Sequence, residues 1–125
     1  MKKYTLFILI CFHFMAYGHE NNNSRADFFK NDLNVSERVF EIIETIDNRY
    51  RSTYEKLNVE IQFRRSELNE VIKDKPFDEK KANAILQKLF RARANVKLNN
   101  IKHHLEIEKE LDSFQRMKFN EYFSP

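Results

Sequence analysis

The sequence predicts an all-α fold built around a long antiparallel helical hairpin, with short N- and C-terminal helices. The chain has 125 residues but only one glycine and two prolines, and the tight turns of β-hairpins depend on such residues. From Ser36 onward the apolar residues recur every three or four positions, which is the period of one helix face. Both observations favour helices and argue against a sheet.

The first long helix is predicted between Ser36 and Pro76. Ser36 is a good N-cap, and Glu37 lies in the first turn, where the helix dipole favours an acid. The helix ends before Pro76 because the residue before a proline is pushed out of helical geometry. It is about 37 residues or about 55 Å long. Its predicted apolar stripe is Val39, Ile43, Ile46, Tyr50, Tyr54, Leu57, Ile61, Leu68 and Val71.

A second long helix is predicted from Asp78, its N-cap, to about Leu111. Asp112 and Gln115 then have the spacing of a capping box, which predicts a last short helix. A short amphipathic piece at 27–33 precedes the hairpin. The predicted apolar positions are Ala82, Ile85, Leu86, Leu89, Phe90, Val96, Ile101 and Leu105 in the second helix, and Phe114, Met117, Phe119, Tyr122 and Phe123 in the last. A hairpin alone leaves an apolar face partly open, so we expect a homodimer.

The first 18 residues have the pattern of a cleavable signal peptide. Lys2 and Lys3 give a positive start, residues 4–14 form a nearly unbroken apolar run, and Ala16 and Gly18 are small residues at the positions that a signal peptidase reads. The run is shorter than the roughly 20 residues that span a bilayer. We expect export, with a flexible segment at 19–26 and a helical hairpin domain at 27–125. The alternative is an uncleaved N-terminus that anchors the chain to the inner membrane.

The charge balance and the cysteine content limit the classes of function that are expected. The leader contains two of the 22 basic residues, so cleavage leaves 20 basic and 19 acidic residues. This near balance gives no reason to expect nucleic acid as a partner. Cys11, the only cysteine, also lies in the leader, so neither a disulfide nor a cysteine zinc site is expected in the mature protein.

No motif in the sequence favours an enzyme. There is no glycine-rich phosphate loop, no nucleophile elbow and, after cleavage, no cysteine nucleophile. Acidic residues such as Glu106, Glu108 and Glu110 are expected to form a solvated charged face. We therefore predict a protein that acts by binding.

Three segments resemble a known family. The segment Leu-Asp-Ser-Phe-Gln-Arg at 111–116 is similar to a Leu-Thr-x-x-Gln motif, Val-Ser-Glu-Arg-Val at 35–39 is a weaker version, and Pro-Phe-Asp at 76–78 is similar to a mid-chain turn. Together they resemble the periplasmic heavy-metal sensor and stress-chaperone family, the Spy/CpxP-like proteins with CnrX-type metal sensors as relatives, over residues 28–123. The resemblance implies a periplasmic location and a function in heavy-metal sensing or resistance, or in envelope stress.

Metal binding is one function within this resemblance. The metal-sensing branch uses histidines before the first motif, which are missing here, and a later His/Met pair, of which His103 is present whereas Ile107 replaces the methionine. From the residues themselves, His104 and Glu108 are four apart on one helix face and are candidate ligands together with His103. Imidazole suits zinc, copper or nickel. The alternative is that these are exposed polar residues on a helix.

Chaperone activity without ATP is the other function that the resemblance implies. Such chaperones hold unfolded clients on a basic, apolar-flecked concave surface. The candidate client-binding residues near the middle of the two long helices are Arg64, Arg65, Phe90, Arg91 and Lys97. An ordinary salt-bridged surface, with Glu60 and Glu67 nearby, is the alternative for these residues. A structural adaptor hairpin that docks on a membrane-bound signalling partner is a third reading of the protein.

Overall fold

A computed structural model describes residues 24–123, in which three α-helices follow a short π-helical turn at Phe28–Asp32. The helices are α1 (Glu37–Lys73), α2 (Glu79–Glu108) and α3 (Ser113–Tyr122). Residues 24–123 contain no strand, and α1 and α2 pack against each other. The predicted all-α helical hairpin with short terminal helices is therefore confirmed.

The predicted signal peptide and the beginning of the predicted flexible segment lie outside the described residues. Residues 24–27, which the sequence assigned to the end of that segment or the edge of the domain, are helical. Between residues 24 and 123, no helix is long and apolar enough to cross a bilayer. The described residues divide into two compact units, one that ends at Phe40 and one that begins at Glu41.

In the first unit, the π-helical turn holds two buried aromatic rings. Phe28 and Phe29 pack edge to face with their ring centroids 5.6 Å apart. The turn is closed by the amide of Leu33, which donates to the carbonyl of Phe28 at 2.8 Å. Asn34 follows with a φ of 50°, a left-handed conformation that asparagine tolerates better than most residues. This residue lets the chain leave the turn just before α1 begins.

The predicted N-caps are present at the start of each of the three α-helices. The Ser36 hydroxyl accepts from the amide of Val39 at 3.3 Å, and the Asp78 carboxylate accepts from the amide of Lys81 at 2.9 Å. At α3, Asp112 and Gln115 each bond to the other's amide, at 2.8 and 3.1 Å, which completes the predicted capping box. Each cap satisfies amides that have no partner within the helix.

In the second unit, α1 and α2 form an antiparallel pair with a continuous apolar seam. Ile61 packs with Leu89 and Ala92, whereas Val71, nearer the turn, packs with Ala82 and Ile85. From Ile61 to Val71 of α1, the contacting residues of α2 change from 89 and 92 to 82 and 85. Because residue numbers rise along α1 while those of its neighbours in α2 fall, the two helices are antiparallel. Burial of each large aliphatic side chain contributes roughly 1.5–3 kcal/mol.

The buried row of α2 is narrower than the predicted stripe. Residues 82, 85, 89, 92 and 99 are buried and 96 is half-buried, at regular steps of three and four. Phe90 and Leu105, which the sequence placed in the apolar set, are 58% and 50% exposed. Each lies about 100° or more around the helix from this row.

The apolar stripe of α3 was also predicted too broadly. Only Phe119 is buried in this helix, and the exposed members of its predicted set are Phe114, Met117 and Tyr122.

Candidate functional site

A cluster of polar side chains joins α1 to α2 away from the turn. We call it the polar clasp; it comprises Asp47, Arg49 and Tyr50 of α1 and Asn99, His103 and Glu106 of α2. The Tyr50 hydroxyl donates to Glu106 Oε2 at 2.6 Å, and Arg49 donates to Glu106 Oε1. The Asn99 amide donates to the backbone carbonyl of Tyr50 at 3.2 Å. These bonds cross between the helices and stabilise their pairing.

His103 completes the clasp. Its Nε2 lies 2.6 Å from Asp47 Oδ1, and its ring stacks on Tyr50 with centroids 4.9 Å apart and planes 20° from parallel. The imidazole is therefore held on two sides by α1. The expectation of an exposed polar histidine is wrong for this residue, whose side chain is 26% exposed.

The clasp shifts the proton affinity of two of its members. The hydrogen bond from Tyr50 and then that from Arg49 lower the pKa of Glu106. The same hydrogen bond to Glu106, followed by burial, raises the pKa of Tyr50. The Glu106 side chain is only 31% exposed, so it is not part of the solvated acidic face that the sequence predicted. Its carboxylate connects the two helices.

His104 connects α2 to α3. It is 9% exposed, and its ring stacks on that of Phe119 with centroids 4.5 Å apart. Its Nε2 lies 2.6 Å from Asn120 Oδ1, and Asn120 donates in turn to Glu108 Oε1. Since the amide oxygen can only accept, Nε2 carries the hydrogen of this bond. The imidazole therefore holds the last helix in place.

The three predicted metal ligands do not converge. His103 bonds to α1 and His104 to α3, although they are adjacent in sequence. His104 Nε2 and Glu108 Oε1 do lie near each other, at 3.7 Å. Within residues 24–123, no group of three or more His, Cys, Asp and Glu side chains is placed to hold a metal ion. The structure thus brings together two of the three candidate ligands, with Asn120 between them.

The predicted client-binding residues separate into three environments. Arg64 lies between two acids, with its guanidinium 2.8 Å from Glu67 and 3.7 Å from Glu60. The hydrogen bond that the guanidinium donates to Glu67 is the main cause that raises the pKa of Arg64. This positive charge is therefore already balanced within α1. The other four residues are exposed, but Phe90 and Arg91 are adjacent and so point about 100° apart.

The antiparallel pairing decides which residues of the two helices share a face. In such a pair, residues one position after the buried row of each helix lie on one face, and residues one position before it lie on the other. The contact of Arg49 with Glu106 follows this rule, because each residue directly precedes a core position. Phe90 follows Leu89, whereas Arg91 precedes Ala92, so these two lie on opposite faces of the hairpin.

One face of the hairpin is basic and aromatic. We call it the basic face; it comprises Arg51, Tyr54 and Arg65 of α1 and Phe90, Arg93 and Lys97 of α2, all of them exposed. Phe90, Arg93 and Lys97 are spaced by three and four, and the Arg93 guanidinium lies 6.0 Å from the centroid of the Phe90 ring. Three predicted client-binding residues, Arg65, Phe90 and Lys97, belong to this face.

The clasp was not predicted as a unit, although the sequence carries a signal for it. Tyr50 and Asn99 are polar residues at positions of the buried rows, and a buried polar group requires a partner. Their positions indicate a hydrogen bond between the helices but do not identify the acceptors. Those acceptors lie about 50 residues away in sequence and become neighbours only through the register.

No protein-family model matches the chain, and comparisons with curated proteins and with solved structures found no match. We therefore infer function from the side chains and surfaces described above.

Proposed function

We propose that the protein is an exported, non-catalytic binding protein of the Spy/CpxP-like kind, which holds unfolded polypeptide on its basic face without ATP. One observation carries the proposal. The basic face places four cationic side chains beside two exposed aromatic rings, Tyr54 and Phe90, which are 43% and 58% exposed. This combination offers both charge and apolar area to a partner.

The cations of this face are available to a partner. Among the described residues, no ion pair involves Arg51, Arg65, Arg93 or Lys97. Between residues 51 and 69 of α1 and 86 and 97 of α2, the rows that carry them contain no acidic residue. Asp47, one turn before Arg51 on the same row, is bonded to His103. A surface of one charge sign attracts segments of opposite charge and speeds their encounter.

Unfolded polypeptide is the ligand that this chemistry fits. An unfolded chain exposes apolar side chains together with carboxylates, so it can contact aromatic rings and cations at the same time. Arg and Lys contribute apolar stems as well as charge. The buried seam and the clasp hold both rows on stable helices, which keeps the face in place when no client is bound.

The non-catalytic part of the proposal is supported by the clasp. Tyr50, His103 and Glu106 are titratable side chains that lie together, and each is hydrogen-bonded to a protein partner between the helices. These bonds connect α1 to α2, so the arrangement of the three side chains is explained by a structural role.

Suppression of aggregation tests the proposal. The client is a reduced and carboxymethylated globular protein that stays unfolded in buffer, and its aggregation is followed by light scattering. Arg65→Glu combined with Lys97→Glu should reduce protection by about tenfold, the equivalent of about 1.4 kcal/mol of binding. Phe90→Ser should also weaken protection, and salt should weaken it by screening.

The matched control is Lys75→Glu combined with Lys80→Glu, which changes the net charge equally at exposed residues near the turn. It should protect as well as the unaltered protein. Equal loss in both double variants would show that net charge alone matters, and no protection by the unaltered protein would refute the proposal.

Metal binding is a second candidate, favoured by the 3.7 Å approach of His104 Nε2 to Glu108 Oε1. Rotation of Asn120 would free both groups for zinc, copper or nickel, with the remaining ligands supplied by solvent or a second chain. Equilibrium dialysis against each ion should then show stoichiometric binding that Glu108→Gln abolishes. Binding that persists in this variant would place the metal elsewhere.

A further inference from the structure

A five-residue segment between the π-helical turn and α1 has the sequence of an N-glycosylation acceptor. Asn34, Val35 and Ser36 form the triplet Asn-x-Ser, in which x is any residue except proline. Asp32 lies two residues before the asparagine, and an acid at that position is what the oligosaccharyltransferases of bacterial periplasms require in addition to the triplet. Among residues 24–123, no other asparagine has a serine or threonine two positions later. The segment therefore carries the complete acceptor pattern for a transferase that acts on exported proteins.

The structure exposes the three side chains that such a transferase recognises and buries the two between them. Asp32, Asn34 and Ser36 are exposed, whereas Leu33 and Val35 are only 5% and 9% exposed. The chain is not helical at 33–36, so successive side chains are not constrained to one helix face. Leu33 and Val35 hold the segment against the first unit, and its polar side chains remain in solvent.

The acceptor amide itself is available for reaction. Asn34 has a φ of 50°, a left-handed conformation that asparagine adopts in turns, and within the described part of the chain its side chain makes no hydrogen bond. The Ser36 hydroxyl accepts from the amide of Val39 at 3.3 Å. This bond uses a lone pair of the oxygen, so the hydroxyl hydrogen can still be donated to a transferase.

From this arrangement we infer that Asn34 is the attachment site of an N-linked oligosaccharide, transferred from a lipid-linked oligosaccharide diphosphate. Asn34 Nδ2 forms a bond to the anomeric carbon of the first sugar. The bond from that carbon to the diphosphate oxygen breaks, and the lipid diphosphate leaves with the electron pair. The amide gives up one proton to a base of the transferase. The inference rests on export of the protein, which is part of the proposed function, and it does not involve the basic face.

The attached oligosaccharide is compatible with the folded first unit. The buried apolar side chains of this unit are Phe28, Phe29, Leu33, Val35 and Phe40, and Asn34 takes no part in their packing. An oligosaccharide on an exposed turn extends into solvent, where its bulk and its hydroxyl groups are tolerated. The modification therefore does not require the interior of the unit to rearrange.

Mass spectrometry of the exported protein tests the inference. The full chain with its leader is expressed in a bacterial host that carries a periplasmic oligosaccharyltransferase and its lipid-linked oligosaccharide, and periplasmic protein is released by osmotic shock. Every sample also carries Asn22→Gln, because Asn22, which lies outside the described residues, begins a second triplet that ends at Ser24. The intact mass should show a species heavier by one oligosaccharide, and peptide fragmentation should place it on Asn34.

Matched variants separate the chemistry of the acceptor from folding. Asn34→Asp keeps the size of the side chain and its tolerance of a left-handed φ, but it has no nitrogen to transfer to, so the heavier species should disappear. Ser36→Asp preserves a good N-cap without the hydroxyl and should have the same effect, whereas Ser36→Thr keeps the hydroxyl and should retain the oligosaccharide. Asp32→Asn removes the acid and should also abolish transfer. Circular dichroism melts establish that each variant is folded.

Two results would overturn the inference. They are exported protein with Asn34 intact that carries no oligosaccharide, and an oligosaccharide that persists in Asn34→Asp. Neither bears on client protection, which is measured with variants of the basic face on protein that carries no oligosaccharide. A chain that stays in the cytoplasm would contradict export, and with it both this inference and the exported location in the proposed function.

Discussion

Replacement of His104 with alanine should destabilise the protein substantially. The imidazole is 9% exposed, stacks on Phe119 and bonds to Asn120 at 2.6 Å. Loss of the hydrogen bond costs about 0.5–1.5 kcal/mol, and loss of the aromatic stack about 0.5–1.5 kcal/mol beyond the apolar area that it buries. With the packing of the ring itself, we expect the free energy of unfolding to fall by about 2–3 kcal/mol.

Urea unfolding followed by far-ultraviolet circular dichroism measures this change. His104→Phe keeps the stack and loses the bond, so its cost should be smaller than that of alanine. A double-mutant cycle of His104→Ala with Asn120→Ala isolates the contact, and a coupling of about 0.5–1.5 kcal/mol is expected. A cost for His104→Ala within about 0.5 kcal/mol, as for exposed residues, would refute the role of this histidine in holding α3.

Three further predictions follow from the same structure. Ile61→Ala should lower the free energy of unfolding by about 2–5 kcal/mol, because Ile61 belongs to the buried seam. Val59→Ala, at a residue that is 69% exposed, should change it by no more than about 0.5 kcal/mol in the same urea titration. Equal losses in the two variants would contradict the buried seam. Because the folded state lowers the pKa of Glu106 from 4.5, its contribution to stability should be present above that pH and lost as pH falls through the lowered pKa. Glu106→Gln should therefore make the melting temperature fall less steeply at acidic pH. An equally steep fall in this variant would contradict the role of the Glu106 carboxylate in the clasp. Asp112→Ala should lower the free energy of unfolding by about 0.5–2 kcal/mol, because it removes the N-cap of α3. Ser113→Ala is the control and should leave the melting temperature nearly unchanged.

The sequence alone was sufficient to place the helices. Ser36, Asp78 and Asp112 begin α1, α2 and α3 as predicted, and Pro76 follows the end of α1. Caps and prolines act within about one turn of the chain, so their effect is readable from neighbouring residues. The near absence of glycine and the apolar period were likewise enough to predict a helical hairpin.

The candidate surfaces were predictable only in part. The sequence located basic and aromatic residues near the middle of both helices, but it grouped Arg91 with Phe90 and treated Arg64 as an available cation. The structure places the first two on opposite faces and balances Arg64 between two acids. The acid that closes the clasp, Glu106, was expected in solvent.

These differences have a common physical reason. An apolar set at a period of about 3.6 defines a broad sector of a helix, and the rotation of each helix about its axis is fixed only when the side chains of the two helices interlock. That rotation decided that Ala92 is buried and Phe90 exposed, and therefore which charges lie on which face. The register, set by the same packing, brought Asp47 to His103 and Tyr50 to Glu106 across more than 50 residues. Local sequence determined where each helix begins and ends, and only the packing of one helix on another decided what each side chain meets.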